Sequence, residues 1–149
     1  MAACCVCAIG LVDGLLTKPG PWTAALLRPD WHPPAWAFGP IWAIVGIFVT
    51  FAAARAWELL PARDRTLFLV LAGINAPLNI AWSALFFAAH RPDLALADIA
   101  ALWFSIAVCI GFLLKRNAGG AGLLLAPYLG WVTIAAGLNY EIVRLNAPF

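Results

Sequence analysis

The feature that most constrains this chain is a succession of four apolar runs, at residues 37–60, 66–89, 94–114 and 121–145. Each is long enough to cross a bilayer, which takes about 20 apolar residues in a helix. The breaks between them are short and polar: Pro61-Ala-Arg-Asp64, His90-Arg-Pro-Asp93 and Lys115-Arg-Asn-Ala-Gly-Gly120. Composition leads to the same place. Hydrophobic residues make up 64% of the 149, charged residues only 11%, and mean hydropathy is +0.92. A soluble domain carries about 25% charged residues, so this chain has too few to build a water-facing shell. The expectation is an all-α integral membrane bundle forming a single domain over residues 1–149.

A fifth apolar run, residues 2–16, is shorter and contains Asp13. As a helix it would reach about 22 Å, against a hydrocarbon core of about 30 Å. It lacks the charged start and cleavage site of a secretory signal. It reads as the second half of a transmembrane helix whose beginning is absent from this chain, which gives five helices with the first one clipped. The segment 17–36 differs from everything around it. Pro19, Pro21, Pro29, Pro33 and Pro34 forbid a long regular helix there, and Trp22, Trp31 and Trp36 favour the membrane interface. It is expected to fold as a compact lid on one membrane face. Pro92 suits the first turn of a helix, and Gly119 and Gly120 are expected to end the preceding helix and allow the reversal. Small residues recur every fourth position at Gly46, Thr50 and Ala54 and at Ala97, Ala101 and Ser105, a device for packing within the bundle or for a dimer contact.

Several function classes fall away. A net charge of +2 is too small for an electrostatic footprint on nucleic acid. Cys4 and Cys7 form a CxxC, but no second pair or His follows at metal-ligand spacing and Ala8 rules out haem attachment; no metal site is expected. The cysteines read as buried or lipid-facing thiols. No Ser-His-Asp set, P-loop or dinucleotide fingerprint is present, and five Lys/Arg on one side against four on the other leave orientation open.

What remains is polar and aromatic chemistry inside the spans, where each polar group is costly. Asn75, Asn79, Trp82 and Phe86 share one stripe of the third helix by their 4-3-4 spacing. Two readings stand side by side: a pocket wall for a flat, partly polar ligand, or interhelical hydrogen bonding by the amides with the rings as packing. Pro77 between them frees a carbonyl one turn earlier. On the fifth helix Trp131, Ala135, Leu138 and Ile142 share a face, with Tyr128 and Asn139 close by and Ala135 leaving room beside the indole. Trp42 lies just inside the second helix, below the Pro-Trp segment. Asp98 lies more than a turn inside the fourth helix, where hydration or a hydrogen bond outweighs a proton-relay role. Glu141 and Arg144 are placed for a local i,i+3 ion pair.

Three segments together resemble the TspO/MBR family of translocator proteins. They are Trp31-His-Pro-Pro-Ala-Trp-Ala-Phe-Gly-Pro-Ile-Trp42, Leu78-Asn-Ile-Ala-Trp-Ser-Ala-Leu-Phe-Phe87, and Pro127-Tyr-Leu-Gly-Trp131 continuing to Ala136-Gly-Leu-Asn139-Tyr-Glu-Ile-Val-Arg-Leu-Asn146. The resemblance runs from the loop to the C-terminus. It implies a five-helix bundle, commonly a homodimer in the lipid bilayer, that binds porphyrins and haem-like tetrapyrroles, with sterols in some members and benzodiazepine-type ligands in the same pocket beneath the loop. By position, Trp22, Trp42, Asn75, Trp131 and Ala135 fall on the family's pocket residues, with Asn79 and Asn139 nearby. Trp42 and Trp131 also match tryptophans implicated in light-dependent porphyrin breakdown.

With Phe86 and Leu138 from the stripe analysis, the candidate ligand-binding set is Trp22, Trp42, Asn75, Asn79, Phe86, Trp131, Ala135, Leu138 and Asn139. No cofactor is required, porphyrin or haem entering as ligand. The leading expectation is a binding protein with a regulatory or sensory role in a bacterial cell envelope. A light-dependent porphyrin-degrading enzyme using Trp42 and Trp131 is the second, although no acid–base or metal constellation supports it. A porphyrin or small-metabolite transporter is the third, against the lack of paired discontinuous helices.

Overall fold

A computed structural model describes residue 17 and residues 20–149, and every described regular element is helical. The helices are α1 (Pro21–Ala25), α2 (Ala35–Leu59), α3 (Ala62–Ser83), α4 (Pro92–Lys115), α5 (Gly119–Leu123) and α6 (Ala126–Asn146). Among the described residues four stretches are long and apolar enough to cross a membrane: Ala35–Leu59, Ala62–Ala88, Pro92–Lys115 and Gly119–Asn146, at 25, 27, 24 and 28 residues. They coincide with the four expected spans to within a few residues. The expected first helix, residues 2–16, lies outside the described residues, as do Cys4, Cys5, Cys7, Asp13, Lys18 and Pro19.

Proline placement explains where helices begin. Pro21, Pro92 and Pro127 each sit in the first turn, where the missing N–H has no intrahelical partner to lose. Pro127 also divides the last span: α5 ends at Leu123, and α6 starts at Ala126 after a turn. The sequence reading had a single helix over 121–145, so the break is a correction. Pro40 and Pro77 are accommodated inside α2 and α3.

Two turns differ from expectation. The reversal after α4 is made by Asn117, which adopts the left-handed conformation with φ 57°. Asn tolerates that region through its short polar side chain. Gly119, expected to end the helix, instead begins α5. Beyond α3 the chain widens into a π-helical turn over Ala84–Ala88, with the Ala89 amide donating to the Ala84 carbonyl at 2.8 Å. His90 then takes φ 55°, and the Arg91 amide reaches back to Leu85 at 2.9 Å. No sequence signal pointed to this turn.

Packing divides the interior into layers. At one end Ala52 and Ala56 of α2, with Leu60 just past its end, meet Leu113, Ala118 and Ala121. There the buried small residues of α2 are Ala52 and Ala56, whereas Ala54 is exposed. The Gly46–Thr50–Ala54 stripe is therefore not the packed seam, and Thr50 uses its hydroxyl on the Gly46 carbonyl at 2.8 Å. Cys109 is a buried free thiol in this layer. The middle layer joins Val45 to Ile99, Leu102, Ile106, Tyr128, Trp131 and Val132. The third, at the loop end, centres on Phe86, Ala95, Leu138 and Ile142, against which Trp22 and Leu26 pack. Asp98 keeps one buried carboxylate oxygen without a hydrogen-bond partner among the described residues. Glu141 and Arg144 form the expected ion pair at 2.7 Å.

Candidate ligand-binding site

A cavity of about 730 Å³ opens between α2, α3 and α6 beneath the loop. This volume lies inside the range of roughly 300–1,000 Å³ typical of small-molecule sites. From α2 come Phe38, Gly39, Trp42, Val45 and Gly46; from α3 and its π-turn come Asn75, Asn79, Trp82, Phe86 and Phe87; from α6 come Tyr128, Trp131, Ala135, Leu138 and Asn139. The loop adds Thr23, Leu26, Arg28 and His32. Eight of the nine candidate residues thus stand on one cavity. The ninth, Trp22, packs from behind: its ring stacks on His90 with centroids 4.3 Å apart and meets Phe86 edge-on at 5.9 Å.

Helical geometry explains the grouping. Asn75, Asn79, Trp82 and Phe86 line one face of α3, and the α6 residues recur at three- and four-residue steps. The π-turn brings consecutive Phe86 and Phe87 to the cavity together; such turns recur at functional sites. Gly39 and Gly46 carry no side chain into the space. The aromatic wall is continuous: Phe38 meets Trp131 edge-on at 5.5 Å, and Trp42 lies 6.3 Å from Tyr128.

The polar groups are largely committed to one another. Asn79 donates to the Tyr128 hydroxyl at 2.7 Å, Tyr128 donates to Asn75 Oδ1 at 3.1 Å, and Asn75 donates to Ser105 Oγ at 2.8 Å. Ser105 closes the chain on the Leu102 carbonyl at 2.7 Å. On a second line Trp82 Nε1 donates to Asn139 Oδ1 at 3.0 Å, and Asn139 Nδ2 donates to the Pro92 carbonyl at 2.8 Å. These lines tie α3, α4 and α6 together. The two readings of Asn75 and Asn79 therefore coexist: the amides cross-link helices and also face the cavity. Trp131 is different. The residue is 7% exposed, and its Nε1 has no hydrogen-bond partner among the described residues. A buried donor left unpaired costs about 1–3 kcal/mol.

The loop closes the site through named contacts. Arg28 Nη2 donates to the Thr23 carbonyl at 2.8 Å, and the Thr23 hydroxyl bridges back to the Gly20 carbonyl at 2.8 Å. The Trp31 ring reaches to within 3.7 Å of where a side chain on Gly137 would begin. Leu27 pairs through both backbone groups with Asn146, at 2.8 and 2.9 Å. The His32 imidazole is held below its ordinary value of 6.5, first by burial and further by the nearby Arg28 guanidinium.

The sequence reading passed over Tyr128, Phe38, Phe87, Arg28 and His32 as site residues. Tyr128 was reachable, since it precedes Trp131 by three positions and so shares its face. The loop residues had no periodicity to reveal them.

A model of the TspO/MBR family matches residues 1–145. The chain belongs to the TspO/MBR family. Among similar members of the family, the Tryptophan-rich protein TspO of Chlorobaculum tepidum is 37% identical over 146 residues, covering 93% of this chain and 89% of that protein. The Tryptophan-rich sensory protein of Cereibacter sphaeroides is 32% identical, covering 94% of this chain and 86% of its own length. The Translocator protein of Sus scrofa is 34% identical across 84% of this chain and 75% of that protein. TspO/MBR membership and four apolar spans together make this an integral, multi-pass membrane protein.

Proposed function

We propose that this protein binds a flat tetrapyrrole, protoporphyrin IX or a haem-like relative, in the cavity beneath the loop, and that binding serves a sensory or regulatory role. The carrying observation is the cavity itself: about 730 Å³ walled by Trp42, Phe38, Trp82, Phe86 and Trp131, with amides held at fixed positions in the wall. A planar aromatic with polar edges suits indole faces and a few oriented donors. The sensory element draws on the relative of that name in Cereibacter sphaeroides. Sterols and benzodiazepine-type ligands are competitors for the same apolar space. A homodimer in a bacterial cell envelope belongs to the same proposal; Ala97 and Ala101 are exposed on α4, where small side chains would permit close helix approach.

The test is titration of the purified protein in detergent with protoporphyrin IX, in darkness and under illumination, followed by absorbance and tryptophan fluorescence. Saturable quenching with unchanged pigment is the expected result. Loss of the porphyrin band under light, abolished in Trp42→Phe or Trp131→Phe, would favour the degrading reading. Absence of saturable binding would refute the tetrapyrrole assignment.

A further inference from the structure

The charges around the cavity are one-sided. Among its described lining residues there is no Asp, Glu or Lys; the charged side chain is Arg28, at the loop end, with His32 beside it. The guanidinium has five N–H donors, and among the described residues its hydrogen bond is the one to the Thr23 carbonyl at 2.8 Å. The neutral amides of Asn75, Asn79 and Asn139 donate to protein acceptors. The guanidinium at the mouth therefore faces no anionic side chain among the described lining residues. A ligand that complements it brings an anion to the loop end.

We propose that Arg28 is a specificity-determining residue that selects ligands with an acidic edge, pairing with a carboxylate at the loop end of the cavity while the ring system lies between the aromatic walls. The inference rests on the tetrapyrrole reading above and adds to it the chemistry of the ligand's rim. A guanidinium and a carboxylate form two parallel charge-assisted hydrogen bonds, and Arg28 is exposed at the mouth, where salt screens the pair. An esterified ligand of the same ring system keeps the stacking and loses the pairing.

The experiment compares protoporphyrin IX with its dimethyl ester, on the wild type and on Arg28→Gln and Arg28→Lys, by fluorescence quenching at low and high salt. The wild type is expected to bind the diacid about tenfold more tightly than the ester, a preference that shrinks with salt. Arg28→Gln should abolish the preference and its salt dependence, weakening the diacid at least about fivefold more than the ester, and Arg28→Lys should restore most of it. Equal wild-type affinity for the two ligands, or a preference that survives in Arg28→Gln, overturns the proposal. So does an equal loss for both ligands in Arg28→Gln, which would make Arg28 only a brace for the loop through Thr23. If neither ligand binds the wild type, the tetrapyrrole reading itself fails, a result distinct from binding without discrimination.

Discussion

Asn146, at the end of α6, fastens the loop over the cavity, and its removal should shorten the time a ligand stays bound. Its side chain accepts from the Leu27 amide at 2.8 Å and donates to the Leu27 carbonyl at 2.9 Å. A third bond, to the Ile142 carbonyl at 2.8 Å, stays within its own helix and orients the amide. Asn146→Ala deletes the two bonds that cross to the loop. Both are solvent-accessible, so each is worth about 0.5–1 kcal/mol, the lower part of the usual range. Their loss favours loop opening by about 1–2 kcal/mol, or about 5–30-fold in the population of open loop. The Trp22–His90 stack and the Leu26 contacts remain, so the loop loosens without coming away. The assay is a stopped-flow chase of bound protoporphyrin IX, reading recovery of tryptophan fluorescence. The dissociation rate should rise by about 5–30-fold while the melting temperature falls by only about 2–8 °C, the shift that a loss of about 1–2 kcal/mol gives in a chain of this size. Hydrogen exchange of the amides in 20–36 should accelerate in the ligand-free protein, independently of any ligand. Unchanged exchange together with an unchanged dissociation rate would refute the fastening role of Asn146.

Ala135→Phe places a ring in the cavity beside Trp131 and should weaken porphyrin binding with little change in melting; a drop equivalent to about 1–3 kcal/mol would instead indicate overpacking against a neighbouring helix. Tyr128→Phe removes a hydroxyl that accepts from Asn79 and donates to Asn75, and should destabilise the bundle by about 1–3 kcal/mol in detergent unfolding. His32 has its folded value lowered, so on acidification the unfolded chain takes up its proton first. Stability should then fall as pH drops through the ordinary value of 6.5, and His32→Gln should flatten that limb of the melting-temperature profile.

The spans were legible because lipid leaves a helix little choice. Each needs a run of apolar residues of fixed minimum length, and charges can gather only between runs, as at Arg63, Asp64 and Arg65 or Lys115 and Arg116. What local composition could not reveal was backbone detail set by tertiary context. The π-turn at Ala84–Ala88 is built from Ala, Leu and Phe, which suit an α-helix equally well, and it exists because the chain must bring Phe86 and Phe87 inward and then turn at His90. Asn117 rather than Gly119 takes the left-handed turn after α4, a choice between two permissive neighbours that sequence spacing does not decide.

The site was legible in proportion to its periodicity. Helical stripes brought Asn75, Asn79 and Phe86 together with Trp131, Ala135 and Leu138 because a shared face follows from spacing alone. Trp22 carried no such guarantee: a tryptophan in a proline-rich loop can face the cavity or back it, and here its stack with His90 places it behind Phe86. The chemical character of the cavity was hidden for a related reason. An asparagine in a membrane span shows its cost but not its partner, and only the geometry reveals that Tyr128 and Ser105 satisfy Asn75. Once those bonds are assigned, the amides that looked like the ligand's handles prove to be cross-links between helices, each with a protein acceptor. Trp131 shows the converse: its Nε1 is buried with no partner among the described residues, so what the indole offers the cavity is its apolar ring, and the wall favours a ligand by aromatic shape rather than by that donor.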